Sequence, residues 1–405
     1  MRHDIVVVGG GPAGAAAATL LARDGREVTV LDRASFPRDK CCGDGLTAGA
    51  LRHLAALGLD SRTVPSWQPV DDIVVRSPSG RTVRFPLPRD GTAHAAVARR
   101  ADLDVAVLAL ARKAGAHVRE DATVTGAEDI GDRVRLEVDG HPDIEASWVV
   151  AADGMWSAVR KALAPDTADR TYLGEWHAFR QHFVETGPLA RDLWVWFEPD
   201  LLPGYAWSFP LAGGAANVGF GIRRQVGRPT RAMAEQWHEL LTRPHVREVL
   251  GPDARPEARH LAWPIPAAVA STPLTAAGGR VLFAGDAARA TDPLTGEGIG
   301  QALECGALAA AAIIAGGSPE RTGDRYARSV RAALLADHRL AAGLSRVLQS
   351  SRGARGAIRI AGASAWTRRN FGRWLFEDYP RALLATPRRW GRHMLTPEGA
   401  RLPSS

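Results

Sequence analysis

Asp4-Ile5-Val6-Val7-Val8-Gly9-Gly10-Gly11-Pro12-Ala13-Gly14 decides the fold. Its apolar half is short, β-branched and free of polar alternation, the pattern of a strand buried on both faces of a parallel sheet. The glycines lead into an Ala-rich helix as far as Arg23. Gly25 breaks that helix, and Glu27-Val28-Thr29-Val30-Leu31 forms a second strand that ends at Asp32 and Arg33. The spacing is that of a βαβ dinucleotide unit. Gly9 and Gly11 allow a tight turn and the close approach of a pyrophosphate, which sits at the helix N-terminus opened by Pro12 and Ala13. Gly14 lets helix and strand pack closely, and Asp32 falls where an acid can bind ribose hydroxyls. A glycine turn alone would fit many α/β proteins; here strand, glycines, helix, second strand and acid follow in order.

Two more apolar strands end in acids. Trp148-Val149-Val150-Ala151-Ala152 runs into Asp153-Gly154, and Val281-Leu282-Phe283-Ala284 into Gly285-Asp286. The second continues through Gly296-Glu297-Gly298-Ile299-Gly300 into a helix of small residues. The order GxGxxG, DG, GD resembles that of the para-hydroxybenzoate-hydroxylase-like flavoproteins. The resemblance implies an α/β fold: a Rossmann-like FAD-binding domain of the glutathione-reductase type with a β-sheet substrate domain and C-terminal helices. It also implies that FAD is the cofactor. The acid matching Asp286 would bind the ribityl chain, and the helix opened by Gly296, Gly298 and Ile299 would point at the pyrimidine end of the flavin. A helix N-terminus there stabilises the negative charge of a reduced flavin. Arg100, with Leu103 and Asp104 after it, resembles the family's flavin-contacting arginine.

Between these motifs lies Phe36-Pro37-Arg38-Asp39-Lys40-Cys41-Cys42-Gly43-Asp44-Gly45-Leu46. Adjacent cysteines lack the CxxC spacing of a zinc or redox site. A cysteine beside Lys40 at a helix start is expected to have a lowered pKa. The loop resembles the KxCGxGL loop of the geranylgeranyl reductase family, with Cys42 at the family's cysteine. Tyr205-Ala206-Trp207-Ser208-Phe209-Pro210 is similar to that family's YxWxFP segment, and Asn217-Val218-Gly219-Phe220-Gly221 to its NVGxG strand. The proline that some members carry three residues before the tyrosine is replaced here by Leu202. The resemblance covers about residues 1–335.

Tyr205, Trp207 and Phe209 alternate toward one face of a strand, and Trp194 and Trp196 alternate just upstream. Six of the 12 tryptophans fall between 176 and 263. That concentration suits either an ordinary sheet core or a wide aromatic face over a long apolar ligand. His177 and His182 flank it, without spacing that would hold a metal. Cys305 reads as helix packing. The organisation expected is an FAD-binding domain from 1–70, 95–165 and 272–335, a β-rich substrate domain from 71–94 and 166–271, and a basic helical segment from 336–405.

The formal charge of the 405-residue chain is +7, but residues 351–405 alone carry +8, so the body is close to neutral. A basic tail on a neutral body argues against a nucleic-acid-binding protein. Mixed with Trp366, Phe371, Trp374, Phe376 and Trp390, these arginines suit a helical cap on the substrate domain. They equally suit an interfacial helix at an anionic membrane. Three cysteines make no disulfide framework, no stretch is apolar enough to span a bilayer, and the start does not read as a signal peptide. The expected setting is the cytoplasm, free or peripheral at the inner face of the membrane.

The family placement implies hydride transfer from flavin N5 to a C=C bond of an isoprenoid chain. Cys42 would position or protonate the alkene, with Lys40 or Tyr205 tuning it. Tyr205, Trp207, Phe209, Trp194 and Trp196 would hold the chain. A flavin monooxygenase or halogenase on the same fold is the competing reading, although Ala262-Trp263-Pro264-Ile265-Pro266 only approximates the halogenase GWxWxIP. A non-catalytic prenyl carrier is the third. With no second GxGxxG unit, the reductant would be transient NAD(P)H or a ferredoxin-like donor.

Overall fold

A computed structural model describes residues 2–163, 172–224 and 230–376, with 382, 386–387 and 399–402 beyond them. The strand Arg2–Val8 lies between Val28–Leu31 and Ile144–Ala151, parallel to both, with Val6 opposite Thr29 and Val149. Val281–Phe283 adds on the far side of Ile144–Ala151, and His117–Arg119 adds beyond Val28–Leu31. The central strands are buried where their apolar runs lie, at residues 5–8 and 149–151 and throughout Val28–Leu31 and Val281–Phe283, while the edge strand His117–Arg119 is partly exposed. An antiparallel hairpin, Val124–Asp129 and Val134–Val138, joins the same sheet.

The helix Pro12–Arg23 covers one face and packs against the helix Ile299–Ile314. Two glycines set these separations. A Cβ on Gly14 would stand 1.8 Å from the Gly9 carbonyl oxygen, and one on Gly306 would stand 2.1 Å from that of Ala13. Helix meets strand, and helix meets helix, at backbone distance.

The second sheet has eight strands. Trp176–Val184, Ala215–Arg223, Tyr205–Leu211 and Leu193–Trp196 run antiparallel in that spatial order, followed by Asp72–Arg76 and Thr82–Pro86. Strands from residues 72–86 are thus joined to strands from residues 176–265. One face buries Phe179, Phe220 and Trp196 beneath the helices Thr230–Thr242 and Pro244–Leu250, with Trp237 of the first of these stacked on Phe220. The other turns toward the first sheet.

The helices Ser351–Ala361 and Ala365–Leu375 lean on the outer strand Thr82–Pro86. Ile358 and Ala361 are buried there, and Phe371 sits on Phe85 with ring centroids 4.9 Å apart. This packing is the cap expected of the tail; Trp390 lies outside the described residues. No helix among the described residues is long and apolar enough to cross a membrane.

Candidate functional site

A cavity of about 640 Å³ lies between the two sheets. Gly9, Gly11, Pro12, Ala13, Asp32 and Arg33 line one end, and Asp153, Gly154, Gly285, Asp286, Gly296, Gly298 and Ile299 its middle. Lys40, Cys42, Tyr205, Trp207 and Phe209 line the side facing the second sheet. Gly14 works from behind, through its contact with Gly9.

The cofactor end has the donors a dinucleotide needs. The helix at Pro12 has Gly11 as its N-cap and no side chain capping it; at the helix beginning with Ile299 the N-cap Gly298 has none to offer, and Glu297 accepts from the Gly300 N–H at 2.7 Å. Both leave backbone N–H groups and the positive end of a helix dipole facing the cavity. Asp32 accepts from the N–H groups of Gly10 (2.6 Å) and Ala34 (2.9 Å), so it braces the glycine turn from within the cavity wall. Asp153 Oδ1 is buried without a hydrogen-bond partner, and burial raises the pKa of that carboxyl. An open glycine cradle, an uncapped helix end at Pro12 and an unsatisfied carboxylate oxygen on Asp153 fit FAD. Among the described residues no group of side chains could hold a metal.

Arg100 is buried and doubly bonded to Asp104, at 2.8 and 2.7 Å, with Arg38 at 3.3 Å from the same carboxylate. Its guanidinium reaches the cavity beside Gly11. Arg38, which also lies over the Phe36 ring at 4.8 Å, is a cavity residue that sequence reasoning left in the loop.

Cys42 departs from expectation. Burial pushes its thiol pKa up, with Arg100 opposing and Asp44 adding to the rise. Lys40 does not lower it: the Lys40 ammonium is paired with Asp286 at 2.7 Å. That pairing holds the Asp286 carboxyl below its usual range, although burial works the other way. With its pKa raised above the usual thiol value, the partly buried Cys42 is a protonated thiol at neutral pH. Desolvation pushes the partly exposed Cys41 up to about 12.

The aromatic wall is narrower than the sequence suggested. Tyr205, Trp207 and Phe209 form it, but Trp194 and Trp196 lie on the opposite face of the sheet. Register is the reason: Trp194 stands opposite Ser208 and Trp196 opposite Ala206, one residue out of phase with the wall. Trp196 is enclosed with Phe220 and Trp237, and Trp194 donates to the Leu189 carbonyl. His177 faces away for the same reason; His182 faces inward and meets Asp44 at 2.7 Å.

The wall extends instead through Trp176, Ala178, Trp263 and Ile265. Trp207 lies flat on the neighbouring strand, where a Cβ on Gly219 would come 2.4 Å from its ring. The NVGxG strand is thus the bed on which the YxWxFP ring rests. The Tyr205 hydroxyl donates to the Thr295 carbonyl, in the turn before the helix Ile299–Ile314, so it fastens the wall to the cofactor side.

The profile of a family described as "FAD binding domain" matches residues 2–326. The chain belongs to this family. Menaquinone reductase of Mycolicibacterium smegmatis is 34% identical over 337 residues, covering 78% of this chain and 77% of the relative. Digeranylgeranylglycerophospholipid reductase 2 of Methanopyrus kandleri is 30% identical over 332 residues, covering 76% of each. A geranylgeranyl bacteriochlorophyll reductase-like protein from Thermoplasma acidophilum shares the fold at a TM-score of 0.80 and 21% identity, covering 96% of this chain and 99% of that one. The likeness to geranylgeranyl reductases seen in the cysteine loop and the YxWxFP segment extends over about three quarters of the chain, which is an FAD-dependent oxidoreductase.

Proposed function

We propose that this protein saturates C=C bonds in the isoprenoid chain of a prenyl quinone or a geranylgeranyl lipid. The observation that carries the reading is the juxtaposition, in one cavity, of a protonated Cys42 thiol, an aromatic wall and an FAD cradle. Relatives named menaquinone reductase and digeranylgeranylglycerophospholipid reductase support it.

Gly9, Gly11, Asp153 and Asp286 would hold FAD, which supplies two reducing electrons when bound. An isolated alkene accepts them poorly unless a proton adds to its other carbon. Cys42 is placed to give that proton, as general acids do. The faces of Trp207 and Tyr205 stabilise the positive charge that develops on the chain and exclude water from it. The Tyr205 hydroxyl is turned to Thr295 rather than toward the chain. NAD(P)H or a ferredoxin-like protein would restore the electrons.

Anaerobic turnover with menaquinone, followed by mass spectrometry of the lipid, tests the reading. Each saturated bond adds two hydrogens. A lipid recovered unchanged, with oxygen incorporated only in air, would assign the protein to the monooxygenases.

The tail is the proposed membrane contact. Between residues 351 and 375 there are six arginines and no acid. Ala354, Ile358 and Ala361 face inward, while Ile360 (72% exposed) and Trp366 (66%) face solvent among exposed Arg359 and Arg369. Apolar anchors set among arginines suit an anionic bilayer. The variant Ile360→Ser/Trp366→Ser is expected to sediment with phosphatidylglycerol vesicles about tenfold less than the parent, each anchor contributing through its buried apolar area. Equal sedimentation would remove the tail from membrane binding.

A further inference from the structure

The cysteine loop and the aromatic wall belong to different parts of the chain, yet one side chain joins them. Asn217 is fully buried in the strand Ala215–Arg223. Its Oδ1 accepts from Trp207 Nε1 at 3.0 Å, and its Nδ2 donates to the Cys42 carbonyl and to Asp44 Oδ2, both at 2.8 Å. The amide cannot be turned around: an indole N–H only donates and a backbone carbonyl only accepts, so its partners fix its orientation.

Asp44 completes the junction. It is fully buried at φ 64°, a backbone conformation that asparagine, aspartate and glycine adopt most readily. Its carboxylate also takes the His182 ring nitrogen, its carbonyl takes the Ala98 N–H, and its own N–H points at Cys42 Sγ at 3.4 Å. Outside this hub the loop is tied by Arg180 to Asp39 and by Lys40 to Asp286. The first holds the loop to the strand Trp176–Val184 and the second to the cofactor side, and neither touches Trp207.

We propose that Asn217 is a positioning residue that sets the separation of the Cys42 thiol from the face of Trp207, and hence places the alkene in line with its proton donor. Removing the amide leaves the Trp207 N–H and the Cys42 carbonyl without this buried partner, while Asp44 Oδ2 keeps His182. Arg180 and His182 would still hold the loop to the sheet, but Trp207 would lose its hydrogen-bonded link to the Cys42 backbone. A displacement on the order of an ångström at a reacting pair costs about 10²-fold in rate.

The proposal rests on Cys42 acting in the reaction, and the test separates the two claims. Asn217→Ala, Cys42→Ala and the double variant are prepared as holoenzymes and assayed anaerobically with menaquinone. Asn217→Ala is expected to lose about 10²-fold in kcat while KM moves less than about threefold. The double variant is expected to be no slower than Cys42→Ala, because positioning a missing thiol gains nothing. Iodoacetamide labelling of Cys42, mapped by mass spectrometry, should run several-fold faster in Asn217→Ala with an equal flavin content.

Losses that multiply in the double variant, or a loss confined to KM, would overturn the positioning role. Full turnover by Cys42→Ala would sink the Cys42 reading by itself; unchanged labelling of Cys42 in Asn217→Ala would sink the positioning claim on its own. Asn217→Asp keeps the side-chain shape and the acceptor for Trp207 while losing the donor. It carries the same measurements if the alanine variant does not fold.

Discussion

Cys42→Ala is expected to lower kcat by about 10²- to 10⁴-fold, the range for loss of a general acid. FAD content should stay that of the parent. Cys42 borders the cavity on the side of the aromatic wall and makes none of the contacts that shape the glycine turn. Cys42→Ser should recover little, because an aliphatic hydroxyl is a far weaker acid than a thiol. The sign of the pH dependence follows from burial. A thiol whose pKa is raised stays protonated through neutrality, so turnover that draws on it is flat there. It falls only above the ordinary thiol range, which begins at about pH 8.5. A thiolate mechanism would give the reverse, with activity rising from pH 6 to about 8.5. A rate profile for kcat, compared between the parent and Cys42→Ala, distinguishes them; a rising limb that vanishes in the variant would contradict the acid role.

Gly14→Ala is expected to cut FAD affinity at least about 100-fold, roughly 2.7 kcal/mol. One methyl suffices because its carbon would sit 1.8 Å from the Gly9 carbonyl oxygen. That overlap must push the helix Pro12–Arg23 away from the strand Arg2–Val8, opening the turn that cradles the cofactor. Gly9 cannot adjust in response: it holds φ at 100°, and its own face is 2.3 Å from the Ala152 oxygen by the same measure. Gly343→Ala is the control, since a Cβ there meets nothing within 4 Å and helix propensity favours alanine. Flavin titration of both variants decides the matter. Parental affinity in Gly14→Ala would mean that the glycine turn does not build the cofactor site.

The nucleotide-binding half was legible because its signals are local. Glycines at 9, 11 and 14, and strands ending at Asp153 and Asp286, carry their meaning in a few consecutive residues. The wall was legible only in part. Alternation places Tyr205, Trp207 and Phe209 on one face, but it cannot say whether the neighbouring strand pairs in phase. Trp194 and Trp196 fell on the other side by that single offset. The state of Cys42 was misread because sequence shows Lys40 two residues away and cannot show that Asp286, 246 residues along, has claimed its charge.

Arg180, His182 and Asn217 had one overlooked signal. Polar side chains at alternate positions of apolar strands must find buried partners. Read that way, the inward positions Arg180 and His182 point to the cysteine loop, where Asp39 and Asp44 wait.

The central claim is that a prenyl chain, and not oxygen, takes the electrons. The purified flavoprotein is photoreduced without oxygen and mixed in a stopped-flow cell with menaquinone or geranylgeranyl diphosphate, against a parallel mix with aerated buffer. The yellow flavin spectrum is expected to return with the prenyl compound alone, and the recovered compound to carry two more hydrogens. Recovery of the spectrum only in aerated buffer, with the prenyl compound unchanged, would contradict that claim.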